Sequence, residues 1–220
     1  MGKRLINCAL SILGDSYSTF EGQVPAGNYL YYPNEGIPDV RSPEDTWWHQ
    51  LITRRRMKLL INDSSSGTTV STSVRPEHRV GDAFVKRMAK SLSAAGVDGR
   101  KPDCILLFGG TNDDWLDVPM GELMYAGWQE RDLRCFLPAY CYMLSETVIN
   151  NPQAAVFAII NTDMKEETTA GIRAACAHYG VPAVELRGIS KKNGHPDRLG
   201  MRQIAEQVGQ ALDEYTTDHE

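Results

Sequence analysis

Five short apolar runs punctuate the chain, at residues 5–13, 58–61, 104–108, 154–160 and 181–186, each bounded by turn-forming residues. They are of strand length and mostly continuous rather than alternating, the pattern of strands covered on both faces. Between them the apolar spacing becomes helical. Ser42-Pro43-Glu44-Asp45 has the form of a helix start, with Ser at the cap, Pro at the first position and acids in the first turn. Trp47/Leu51 and Trp48/Ile52 then share one face at four-residue spacing, and Arg54-Arg55-Arg56 suits a solvated helix C-terminus. Further helices are predicted over 82–95, 131–149 and 166–179. A last one starts near Arg198, with Met201, Ile204, Ala205, Val208 and Leu212 as its buried stripe.

Strands alternating with helices predict a parallel sheet between helical layers, a three-layer α/β/α sandwich. Segments 17–41 and 113–130 carry neither pattern, and irregular segments of this length inside a domain are usually functional or mobile. No repeat or linker divides the chain, so residues 1–220 read as one domain.

Composition narrows the function. The 23 Lys+Arg against 28 Asp+Glu give a net charge of −5, which leaves no broad footprint for nucleic acid or anionic lipid. No apolar run approaches the roughly 20 residues of a membrane helix, so a soluble domain is expected. Met1-Gly2-Lys3-Arg4 with the apolar run after it superficially resembles a signal peptide, yet no small-residue cleavage site follows and the run fits a first strand. The cytoplasm is the default expectation, with secretion open if a signal segment was removed upstream. The five cysteines are scattered, with no CxxC and no cysteine–histidine zinc spacing, and are expected to be reduced core residues. Neither a metal nor a cofactor is expected.

In an open parallel sheet, ligands bind beyond the carboxyl ends of the strands. The first run is followed there by Gly14-Asp15-Ser16-Tyr17-Ser18, the second by Asn62-Asp63-Ser64-Ser65-Ser66-Gly67-Thr68, and the third by Gly109-Gly110-Thr111-Asn112-Asp113. Asn193-Gly194-His195-Pro196 lies just ahead of the last helix. These are the parts of an acyl-transfer site. A serine hydroxyl is a weak nucleophile until a neighbouring base takes its proton, and histidine is such a base near neutral pH. The Asn112 amide and the N–H groups of Gly67 and Ser16 are candidate oxyanion donors.

At these residues the chain resembles the SGNH, or GDSL, hydrolase family. Gly-Asp-Ser gives Ser16, a downstream glycine gives Gly67, Gly-x-Asn-Asp reads as Gly110-Thr111-Asn112-Asp113, and the C-terminal His motif gives His195. The order and spacing fit over about residues 5–212. The Tyr-Ser-Thr-Phe-Glu continuation, Thr46-Trp47-Trp48-His49-Gln50 and Lys192-Asn193-Gly194-His195-Pro196 are similar to an uncharacterised bacterial branch. The resemblance implies a flavodoxin-like five-stranded sheet and hydrolysis of small-molecule or glycan esters, often O-acetyl groups on sugars, with Ser16 and His195 catalytic and Gly67 and Asn112 in the oxyanion hole.

One position departs from the family: the Asp usually found three residues before the histidine is here Lys192. Three readings follow. A backbone carbonyl holds the ring in a Ser–His dyad; a carboxylate from elsewhere, Glu185, Asp163 or Asp197, replaces the acid; or the protein is a catalytically weak carbohydrate- or partner-binding module. Asp197 also fits a cap on the last helix. A nucleotide-binding role for Gly109-Gly110-Thr111 is disfavoured by the absence of both GxGxxG and a P-loop lysine. Tyr29, Tyr31 and Tyr32 in the first long segment, with Trp115, Tyr125 and Trp128 in the second, suit either stacking on a substrate or pinning the loops. Asp113, Asp114 and Asp117 read as a solvated loop face. His49, His78, His178 and His219 follow no strand end and read as structural or exposed.

Overall fold

The computed structural model describes residues 5–93 and 99–218; Met1 to Arg4, His219 and the Ala94-Ala95 end of the helix predicted over 82–95 lie outside the described residues. The apolar runs become five parallel strands, β1 (Ala9–Gly14), β2 (Lys58–Ser64), β3 (Cys104–Phe108), β4 (Ala155–Ile160) and β5 (Ala183–Glu185), in the order β2-β1-β3-β4-β5. That is the flavodoxin-like order, and it reverses direction between β1 and β3. Gly14 pairs with Ser64 on one side and Phe108 on the other, so the segments leaving β1, β2 and β3 start side by side.

Strand alternation feeds two buried clusters. Leu10, Ile12, Leu106 and Phe108 face α1 (Trp47–Arg55) and α6 (Arg198–Asp218). Leu13, Ile105 and Leu107 face α2 (Phe84–Ser93), α4 (Phe136–Asn150) and α5 (Glu166–Tyr179), while the short α3 (Thr111–Trp115) follows β3. The sandwich thus has the three layers expected. The α6 stripe is fully buried, from Met201 to Leu212. Met201, Ile204, Val208 and Leu212 each contribute about 1.5–3 kcal/mol, which outweighs any end effect on that helix. All five cysteines are free, four of them buried. Among the described residues no helix is long and apolar enough to cross a membrane.

Local boundaries shift for identifiable reasons. The first strand starts at Ala9 rather than residue 5, because Asn7 turns at φ 55° and its N–H bonds the Arg55 carbonyl at 3.0 Å. The Ser42 motif caps a 3₁₀ turn, Pro43–Asp45, with Asp45 Oδ2 taking the N–H groups of Arg41 and Ser42. The α-helix is capped separately by Thr46. Arg55 is not a solvated terminus. It is buried, with its guanidinium on the carbonyls of Leu5 and Gly209 and 2.7 Å from Asp213.

Candidate active site

Ser16 opens a 3₁₀ turn, Ser16–Ser18, directly after β1. Asp15 caps it, its Oδ1 accepting the Tyr17 N–H at 3.0 Å, and burial pushes the Asp15 carboxyl up to about 7. The turn is gripped from α1: the indole of Trp47 donates to Ser18 Oγ at 3.2 Å and that of Trp48 to the Ser18 carbonyl at 3.0 Å. Asn62 Nδ2 donates to the same carbonyl at 2.8 Å. A buried indole N–H needs an acceptor, and here both are spent on Ser18, one on its hydroxyl and one on its carbonyl, in the turn that carries Ser16.

His195 stands on a two-residue hairpin. Strands β6 (Lys191–Lys192) and β7 (His195–Pro196) pair antiparallel with Lys192 opposite His195. Asn193 and Gly194 form the turn, both at positive φ (50° and 77°), the type I′ geometry that Asn-Gly favours. Tyr17 Oη donates to the Gly194 carbonyl at 2.5 Å and Tyr32 Oη to the Pro196 carbonyl at 2.7 Å, fixing the hairpin to the first long loop. The result brings His195 Nε2 to 2.9 Å from Ser16 Oγ, although the two residues are 179 positions apart. Nδ1 lies 3.2 Å from the Asn193 carbonyl. Both side chains are nearly buried, and burial lowers the His195 pKa from 6.5 to about 4.

The other wall comes from β2 and β3. The loop after β2 is tied to β1 by Ser65 N–H on the Gly14 carbonyl at 3.1 Å. Gly67, in this loop, has φ 73°, and a Cβ there would sit 2.9 Å from His78 Cε1. Asn112, in the first turn of α3, donates through Nδ2 to the Thr68 carbonyl at 3.0 Å, which leaves its second amide proton for a ligand. Arg75 Nη2 reaches Asn112 Oδ1 at 3.5 Å. The fold thus joins Ser16 to His195 directly and Asn112 to the Gly67 loop through one residue. Among the described residues no group of His, Cys, Asp and Glu comes together that could hold a metal ion.

Comparison with known proteins places the chain in a family. The family model for GDSL-like lipase/acylhydrolase matches residues 8–212. The chain belongs to that family. A crystal structure from Bacteroides ovatus described as a GDSL-like lipase is 37% identical, with a TM-score of 0.86 over 94% of this chain and 98% of that one. A GDSL-like lipase structure from Bacteroides uniformis is 38% identical, with the same TM-score over 94% and 96%. A family two carbohydrate esterase from Clostridium thermocellum in complex with cellohexaose shares the fold alone, at 16% identity and a TM-score of 0.63 over 96% of this chain and 65% of that one. No curated protein matches the chain.

Against the GDSL pattern, the three acids considered for Lys192's position are all engaged elsewhere. Glu185 takes Arg173 Nε at 2.6 Å, and Asp163 takes Lys191 Nζ at 3.1 Å. Asp197 takes Ser190 Oγ at 2.7 Å and caps α6 through the Gly200 N–H at 2.9 Å. None of these hydrogen bonds reaches His195, whose Nδ1 faces the Asn193 carbonyl of the hairpin. The solvated acidic face is corrected. Asp113 is buried and accepts the N–H groups of Val70 and Ser71 at 2.7 and 3.1 Å, with its pKa raised by burial to about 6. Asp114 is buried and accepts from Thr168 Oγ1 at 2.5 Å; Asp117 alone of the three is at the surface, paired with Lys165.

The loop aromatics divide between pins of the loops and rings that meet His195. Tyr32 is buried as a pin, Tyr125 stacks on His178 at 3.7 Å, and Trp128 donates to the Met124 carbonyl at 2.7 Å. Tyr31 stacks on His195 at 3.6 Å between centroids, and Trp115 meets the same imidazole edge-on at 5.9 Å. Two residues beside the site were not read as part of it from the sequence: Arg75 was not singled out, and His78 was expected to be structural or exposed. Arg75 and His78 lie against Gly67, and His78 stacks on Tyr29 at 4.3 Å. They sit in an irregular stretch with no strand before it, so no sequence signal marked them.

Proposed function

We propose that the protein is a serine ester hydrolase that works through a Ser16–His195 dyad, with O-acetyl groups on carbohydrates as its substrate class. The observation that carries this reading is the 2.9 Å contact between Ser16 Oγ and His195 Nε2. Neutral His195, with its Nδ1–H on the Asn193 carbonyl, presents a bare Nε2 lone pair to the serine. As Oγ bonds to the ester carbonyl carbon, its proton moves to Nε2 and the carbonyl π pair moves onto oxygen. The Asn112 amide and the N–H groups of Ser16 and Gly67 stabilise that oxyanion. The imidazolium then returns its proton to the departing alcohol, and water repeats the sequence on the acyl-enzyme.

The reading predicts hydrolysis of 4-nitrophenyl acetate with an acid limb shifted well below that of an ordinary histidine. Burial disfavours the imidazolium, so the base stays neutral and competent down to a pH near its lowered pKa of about 4. A profile of kcat/KM against pH should stay flat from pH 8 to about 5 and fall near pH 4. Absence of turnover across that range contradicts the reading.

The carbohydrate part rests on the exposed rings at the mouth. Trp115 and Tyr29 are 42% and 38% exposed, and flat aromatic faces suit the apolar faces of sugars. Trp115→Ala is expected to raise KM for an O-acetylated oligosaccharide about 10-fold while leaving 4-nitrophenyl acetate within about twofold. Equal loss on both substrates counts against a sugar platform.

A further inference from the structure

We infer that Tyr31 takes over the charge-stabilising part of the missing acid: its ring face, stacked on His195, holds the imidazolium that forms as Ser16 loses its proton. This rests on the dyad reading above and assigns a positioning residue to it. The two rings are nearly parallel, 10° apart, at 3.6 Å between centroids, close enough for the negative face of the phenol to lie against a cation. Tyr17 offers a second, looser stack at 5.2 Å and 27°.

The rest of the surroundings oppose that cation. Among the described residues the partner of Nδ1 is a neutral carbonyl, that of Asn193. The nearby full charge, Lys191, is positive; its Nζ lies 5.5 Å over the Tyr17 ring and acts against a charged His195. Glu185, Asp163 and Asp197 are committed to Arg173, Lys191 and Ser190. A carboxylate normally orients the ring and stabilises its charge. Here the hairpin carbonyl does the first and the π face does the second. The loop holds Tyr31 for this task, since the Tyr31 N–H bonds Thr19 Oγ1 at 3.0 Å and the Tyr32 carbonyl takes the Glu21 N–H at 3.0 Å.

The test replaces Tyr31 by Phe, 4-fluoro-Phe, 3,5-difluoro-Phe and 3,4,5-trifluoro-Phe, with Tyr31→Leu as an aliphatic control. Fluorine drains the ring face of negative charge with little change of size. Steady-state hydrolysis of 4-nitrophenyl acetate should show Tyr31→Phe within about twofold of wild type and kcat falling stepwise with each fluorine. Trifluoro-Phe and Leu should lose about 10-fold, with KM unchanged throughout. A kcat that is flat across the fluorinated series, or a loss confined to KM, overturns the assignment and leaves Tyr31 as packing. Wild-type turnover and its loss in Ser16→Ala are measured alongside. If they are absent, the dyad itself fails; if they are present with a flat series, only the role of Tyr31 fails.

Discussion

Ser16→Ala is expected to cut kcat for an aryl acetate by about 10⁵–10⁶-fold while leaving the fold and its unfolding midpoint unchanged to within about 1 kcal/mol. The size follows from the dyad acting as one unit. Without the hydroxyl, His195 has no proton to take, and only the oxyanion donors and substrate binding remain. His195→Ala should fall to a comparable floor, and the double variant should fall no further than either single one. Stability is spared because the turn is held by the Asp15 cap and the two indoles, none of which bonds the Ser16 side chain. A residual rate in Ser16→Ala within 100-fold of wild type contradicts the assignment of nucleophile.

The largest expected effect on stability comes from Arg87, on α2. Its guanidinium meets the Asp63 carboxylate at 2.9 Å, with both side chains about nine-tenths buried. It also donates to the carbonyl of Asp63 at 2.5 Å, that of Gly14 at 3.2 Å and Thr68 Oγ1 at 3.2 Å. One side chain thus ties the ends of β1 and β2 to the loop that carries Gly67. Removing one partner of a buried ion pair leaves a desolvated charge behind, which costs about 3–5 kcal/mol. Arg87→Met should lose that much in urea unfolding, with a fall in Tm on the order of 10 °C. Removing both charges, in Arg87→Met with Asp63→Leu, should cost less than Arg87→Met alone. A single-variant loss below about 1 kcal/mol would show that the pair is not the anchor described.

How far the sequence could be read depends on how local each cause is. All five strands lay within or across the apolar runs. For the central β1, β3 and β4, burial on both faces leaves that local trace, while the edge strands β2 and β5 are only partly buried. The buried α6 stripe was legible from its helical spacing. The ends were less legible. β5 pairs over only three residues as an edge strand, and nothing in its apolar composition announces that. Ser16, Asn112 and His195 could be singled out as candidates because each is a chemically distinctive residue that follows a strand end or lies just ahead of the last helix.

The partner of His195 was not readable in full. Asn193-Gly194 is a type I′ signal that could have been taken as a hairpin, but which carbonyl the turn presents depends on where Tyr17 and Tyr32 tie it down. The same holds for Arg55 and Asp113. Their charges suggested solvent, whereas carbonyls and amide N–H groups from distant segments hold them inside. Arg75 and His78 reach Gly67 only through the path of an irregular loop.

The central claim is that a hydroxyl after the first strand is made nucleophilic by the imidazole of the C-terminal hairpin. Treating the protein with a fluorophosphonate and mapping the adduct by peptide mass spectrometry tests it most directly. The account predicts one phosphonyl group per chain, on the peptide containing Ser16, with labelling at least 100-fold slower in His195→Ala and abolished in Ser16→Ala. An unlabelled protein, or an adduct on another residue with Ser16 untouched, would contradict it.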